Sequence, residues 1–206
     1  MTGERPRVIL VTGFMAAGKT TVAAALAARL ACAFVDLDQL ITERAGRTPQ
    51  EIIDEDGEAA FREVETRALR EVLARAAEVK TDERSVSPDA RESFSGATRG
   101  SSSVVNRPLV VALGGGAWTV ERNRALARDA RAFTVWLDAP FDLCWQRIAA
   151  DGARLARPLA RERERTRALH ASRREIYALA SLRVEVGARR SAEEIAGEIA
   201  SAAGCC

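Results

Sequence analysis

Val8-Ile9-Leu10-Val11-Thr12-Gly13-Phe14-Met15-Ala16-Ala17-Gly18-Lys19-Thr20-Thr21 is the stretch on which the fold turns. Residues 8–12 form a short, β-branched apolar run that breaks at Gly13, as a buried parallel strand would. Residues 13–20 match G-x-x-x-x-G-K-[ST] at every fixed position. Beyond them Val22, Leu26 and Leu30 recur at four-residue spacing on an Ala-rich background, which predicts a helix over 20–31. Strand, glycine loop and helix in that order are what a phosphate cradle requires. Backbone N–H groups around Gly18 and the positive end of the helix face a β-phosphate. The Lys19 ammonium then bridges β- and γ-phosphate oxygens, and the Thr20 hydroxyl takes a place on Mg²⁺. Lys occurs only at positions 19 and 80, all other basic residues being Arg, so its presence in the loop is telling. The stretch predicts a nucleoside triphosphate site.

Downstream, residues 33–37 read as a second strand carrying Asp36 and Asp38. Two apart on a strand, their side chains project to one side, at the carboxyl edge where open α/β sheets bind ligands. One carboxylate there suits Mg²⁺ through water, and the other the proton of an attacking hydroxyl. The competing reading is a pair of strand-end solvating charges, and beside a phosphate loop the functional reading wins. Thr48-Pro49-Gln50-Glu51 is a capping box with Pro at the first helical position. Phe61, Val64, Ala68, Val72 and Leu73 mark a longer helix from Glu58, on which Arg62 and Glu65 are close enough to pair. Residues 109–113 are a strand that stops at Gly114-Gly115-Gly116, a side-chain-free backbone open to a ligand or to a turn. Residues 133–137 and 182–186 complete five strands. Helices follow at 141–149, up to Tyr177 after the Arg-rich stretch 151–165, and from the Ser191/Glu194 cap. The alternation predicts an α/β fold with a parallel five-stranded sheet.

The 206 residues suffice for one or two small domains. A net charge of +2 is too near balance to imply nucleic-acid binding. No apolar run is long enough for a membrane span, and the polar start of the chain is no secretory signal, so a cytoplasmic location is expected. Cys32 and Cys144 read as buried thiols and Cys205 and Cys206 as a frayed tail, with no zinc spacing among them. His170 reads as a solvated face residue, and Trp118, Trp136 and Trp145 as packing. Segment 81–107 holds seven Ser, two Gly and one Pro among 27 residues, a composition that predicts a disordered surface insertion or else a docking or regulatory segment.

The ordered set GxxxxGKTT, FVDLD, GExxFRxxE, LGGGA, RPL and RxxxY resembles the shikimate kinase family. The resemblance implies a single domain over 1–206 with the three-layer α/β/α P-loop kinase fold. Within it, 8–31 would be the phosphate-binding core, about 36–80 the acceptor region and about 151–165 a mobile lid. It implies transfer of the ATP γ-phosphoryl group to the 3-hydroxyl of shikimate, with one Mg²⁺, in a monomer. Carried over by position, Gly13, Ala16, Ala17, Gly18, Lys19, Thr20 and Thr21 meet ATP. Arg147 and Arg190 lie beside the adenine, and Thr20 and Asp36 serve the metal. Asp38 is the candidate base, with Lys19 and the lid's Arg157 as the other catalytic groups. Arg62 and Arg173 grip the shikimate carboxylate, Glu65 positions Arg62, and Gly114, Gly115 and Gly116 contact the acceptor. Ala16 stands where the family often has Gly, which a negative φ would allow, and Ala160 replaces a Leu after Arg-Pro-Leu. Two alternatives stay open at this point. One is a kinase of the same fold for another acceptor, such as gluconate or a nucleotide. The other is a non-catalytic nucleotide-binding paralogue.

Overall fold

The computed structural model describes residues 5–78, 108–150 and 163–205. The expectations for 81–107, for Arg157 and Ala160 with lid residues 151–162, and for Cys206 lie outside them.

Strand β1 (Val8–Gly13) is buried along its whole length because it has a neighbour on either side. It pairs in parallel with β3 (Leu109–Ala112), Val8 opposite Leu109, and with β4 (Phe133–Asp138), Ile9 opposite Phe133. Outside these lie β2 (Phe34–Asp36) against β3 and β5 (Leu182–Glu185) against β4, both parallel. The order β2-β3-β1-β4-β5 means that the chain builds one side of β1 first and then crosses to the other. The crevice beyond the carboxyl end of β1 is therefore the topological switch point, where such sheets hold ligands. Burial on both faces explains why β1, β3 and β4 read as near-continuous apolar runs.

Helix α1 (Lys19–Leu30) packs against α8 (Ala192–Ala202) and β3, burying Val22, Ala23 and Leu26. Helix α4 (Glu58–Glu78) packs against α2 (Leu37–Ala45), α3 (Pro49–Asp56) and α5 (Glu121–Asp129). The remaining helices, α6 (Phe141–Ala150) and α7 (Arg163–Tyr177), meet each other, and α7 also meets a 3₁₀ turn at Ala117–Thr119. The whole is the three-layer α/β arrangement with a parallel five-stranded sheet. Both capping boxes form, Thr48 with Glu51 on α3 and Ser191 with Glu194 on α8. Among the described residues no helix is long and apolar enough to cross a membrane.

Several readings need correction. The second strand ends at Asp36, and Leu37 already begins α2, so Asp38 lies in a helix's first turn and not on a strand. The cause is Asp36, whose Oδ1 accepts from the N–H groups of Asp38 (3.0 Å) and Gln39 (3.2 Å) and caps the helix. Helices α2 and α5 were not foreseen. On α5 only Asn123 and Ala127 are buried, too sparse a face to show as periodicity. Ala16 has φ 58, so the negative φ under which a methyl there would be free of strain is not met. His170 is 8% exposed, not solvated: with Thr166 and Tyr177 it forms the buried face of α7, which its polar members hid. Cys144 is buried, and burial pushes its thiol up to about 11. Cys32 is only half-buried, between α1 and β2, and Cys205 is half-buried with its N–H bonded to Ala200 O, so neither reading of them holds. Trp118 and Trp136 are core residues, at 4% exposure each.

Candidate active site

The loop between β1 and α1 opens onto a cavity of about 650 Å³. Helix α1 starts at Gly18 (φ 94) with no side-chain cap and no acid in its first turn. Its leading N–H groups and its positive end are thereby left to an anion. Ala16, Ala17, Gly18, Lys19, Thr20 and Thr21 all line the cavity. Gly13 does not; it closes β1 beneath the loop, opposite Leu137. Lys19 Nζ donates to Phe14 O at 2.9 Å, which folds the ammonium over the loop. Arg147, from α6, also lines the cavity and donates to Ala16 O at 3.1 Å. Arg190 lies on the same wall, held by Glu185 O (2.8 Å) and the Glu198 carboxylate (2.5 Å).

Thr20 Oγ1 donates to Asp36 Oδ2 at 2.6 Å. The capping role of Oδ1 directs the other oxygen of Asp36 toward Thr20. One hydroxyl and one carboxylate, both oxygen donors at the cavity wall, suit Mg²⁺, which keeps waters and phosphate oxygens for its remaining positions.

The opposite wall is built from α2, α4, α7 and the glycine run. Arg62 Nη1 donates to Glu65 Oε2 and Arg62 Nη2 to Glu58 Oε1, both at 2.9 Å. Glu65 is fully buried, and its Oε1 has no hydrogen-bond partner. A Cβ on Gly114 would lie 2.6 Å from Asp38 Oδ1 and 2.7 Å from Glu65 Oε1, so the two carboxyl groups close on this glycine from separate helices. Burial first, and the Asp38 charge as well, push the Glu65 carboxyl up to about 7 against the pull of Arg62 and Arg173. At Gly116 the intruding atoms would be those of the Arg62 guanidinium, with Cζ at 2.7 Å. Arg173 Nη1 donates to Gly115 O at 3.2 Å. Asp36, Asp38, Arg62, Glu65, Gly114, Gly115, Gly116 and Arg173 thus share one cavity with the phosphate loop. Its chemistry is two-sided, with anion-binding amides and Lys19 facing a second compartment that holds carboxylates and guanidiniums.

Sequence reading assigned no part in the site to Phe14, Pro49 or Tyr177. Phe14 carries the carbonyl that holds Lys19, and Pro49 and Phe61 wall the cavity. Backbone acceptors and apolar walls leave no spacing signal.

A sequence model of the family described as shikimate kinase matches residues 15–81 and 101–203. The shikimate kinase of Salinibacter ruber is 37% identical, covering 94% of this chain and 83% of the relative. That of Geobacter sulfurreducens is 36% identical, covering 95% and 90%. Among solved structures, shikimate kinase from Acinetobacter baumannii in complex with shikimate superposes with a TM-score of 0.73 at 29% identity, covering 96% of this chain and 92% of that one. A gluconokinase from Sinorhizobium meliloti, at 14% identity and a TM-score of 0.51, shares the fold alone.

Proposed function

The chain belongs to the shikimate kinase family, and from that premise we propose how its own residues carry out the reaction. The activity is ATP-dependent phosphorylation of shikimate, giving shikimate 3-phosphate and ADP. The observation that carries the residue assignment is the single cavity in which the phosphate loop faces Asp38, Arg62, Glu65 and Arg173.

ATP lies along the loop, its β-phosphate on the uncapped start of α1 and its adenine between Arg147 and Arg190. Lys19 leaves the Phe14 carbonyl and bridges the β- and γ-phosphates. Thr20 and Asp36 would hold Mg²⁺, which when bound would supply charge neutralisation on the phosphate oxygens. Arg62 and Arg173 clasp the shikimate carboxylate, a planar anion that matches guanidinium forks. The arrangement leaves Asp38 to accept the proton of the 3-hydroxyl as its oxygen attacks the γ-phosphorus. A new O–P bond forms, the bridging P–O bond to the β-phosphate breaks, and ADP leaves with the electron pair. Transfer is direct, and catalysis is positioning plus electrostatic stabilisation. Arg157 joins in collecting the transferring charge. A monomer in the cytoplasm completes this reading.

A coupled ADP-release assay tests it, with shikimate and gluconate as alternative acceptors. Only shikimate should release ADP at an enzymatic rate, and Asp38→Asn should lower kcat by about 100-fold or more. A loss within about threefold, under roughly 0.7 kcal/mol, would remove Asp38 from the mechanism.

A further inference from the structure

Tyr177, the sole tyrosine of the chain, ends α7 and is 1% exposed. Its hydroxyl donates to Gly115 O at 2.5 Å. Arg173 lies one helical turn earlier on the same face and donates Nη1 to that same carbonyl at 3.2 Å. The Arg173 charge beside the phenol works against burial and draws its proton affinity down. A bond in the reverse sense, Trp118 Nε1 to Ile176 O at 3.1 Å, ties the turn after the glycine run to the same end of α7. The glycine run and α7 are therefore clamped by donors from both sides.

Gly115 O has two lone pairs, and Tyr177 and Arg173 take both. Arg173 has further N–H groups for the cavity, where it lies close enough to Glu65 to lower that carboxyl's proton affinity. How far its guanidinium reaches is thus set by a carbonyl that the tyrosine hydroxyl holds. Without that hydroxyl, Arg173 would be the one remaining donor to the carbonyl and would be drawn onto the backbone, away from an incoming carboxylate. The glycine run would also lose its fixed rotation about Gly115.

We propose that Tyr177 is a positioning residue for acceptor recognition, acting through Gly115 O to hold Arg173 and the glycine run in the geometry that receives the acceptor's carboxylate and hydroxyls. The residue touches neither substrate, since it does not line the cavity. Burial pushes its phenol up to about 12, so it remains a donor throughout the working range of the enzyme. The inference rests on the shikimate kinase reading and deepens its acceptor side.

Tyr177→Phe keeps the ring and its tilted contact with Trp136, centroids 6.2 Å apart, and removes only the hydroxyl. With shikimate as acceptor, KM for shikimate should rise about tenfold, while kcat and the KM for ATP stay within about twofold. In a cycle with Arg173→Lys, the double variant should have a shikimate KM within about twofold of Arg173→Lys alone, because the tyrosine acts through the arginine. A shikimate KM unchanged in Tyr177→Phe overturns the proposal. So does a parallel fall in kcat, ATP affinity and melting temperature, the mark of a merely structural hydroxyl. Failure of the wild-type chain to release ADP with shikimate would sink the underlying reading as well. A normal wild-type rate beside an unmoved variant sinks this inference alone.

Discussion

The guanidinium of Arg62 rests against the backbone of Gly116 so closely that a Cβ on the glycine would stand 2.7 Å from Arg62 Cζ. Gly116 has φ −109, which any residue adopts, so contact with the arginine alone bars a side chain there. Gly116→Ala should therefore displace Arg62 and raise the shikimate KM about tenfold, with the KM for ATP within about twofold. Gly115→Ala is the control. Its Cβ would meet nothing nearer than Met15 N at 3.5 Å, an ordinary contact, and its shikimate KM should change less. Equal effects in the two variants would refute the steric account.

Glu65 gives the free enzyme a pH signature. Its carboxyl titrates at about 7 in the fold against 4.5 ordinarily, chiefly through burial. The folded state therefore holds a proton that the unfolded chain has released, and this contribution to stability is complete below the unfolded value. It is lost as pH rises through the folded one, by about 3 kcal/mol at most. Urea midpoints of the wild type should fall more steeply over that window than those of Glu65→Gln, which cannot ionise. Matching slopes would show that Glu65 titrates normally.

Asp138 closes β4 at 7% exposure and is the common partner of two cations. Arg174 forks onto both its oxygens at 2.6 and 2.8 Å, and Arg183 Nε reaches it at 2.8 Å, while both arginines stack on Trp136. Asp138→Asn leaves these charges unbalanced. Because the arginines are partly exposed, water offsets some of the loss, and a cost of about 2 kcal/mol is expected. Asp138 is outside the cavity lining, so kcat per folded molecule should hold. Denaturant unfolding that shows no loss would mean the cluster is solvated rather than structural.

Ala16 occupies a left-handed conformation, φ 58, within the phosphate loop. An L-residue there pays roughly 1 kcal/mol, and glycine's greater freedom in the unfolded chain costs a similar amount, so Ala16→Gly should alter stability by no more than about 0.5 kcal/mol. Ala17→Gly, one position on, is buried and has no positive φ to relieve, and about 1 kcal/mol should be lost. Thermal melts of the pair check this: without left-handed strain at Ala16, both variants would destabilise alike.

The short-range features of this protein were legible in its residues. A β-branched run, a glycine loop and an apolar stripe on consecutive turns act over a few residues, so β1, the phosphate loop and α1 could be read directly. The two capping boxes formed for the same reason. Asp36 shows the limit: whether an aspartate continues a strand or caps a helix depends on backbone N–H groups beyond it, and the cap moved Asp38 onto α2. On α7, His170 was misread because its polarity hid a burial imposed by Phe14 and Phe141 from other elements.

The tertiary structure alone decided the convergence. Arg62, Arg173, Asp38 and the glycine run come from separate stretches, and the resemblance to shikimate kinases suggested their meeting without any physical rule of spacing to impose it. Their closeness depends on parallel strand order and on van der Waals limits at Gly114 and Gly116. The elevated proton affinity of Glu65 and the shared carbonyl at Gly115 likewise arise only when distant segments exclude water together, since desolvation belongs to an enclosed volume and to no stretch of chain.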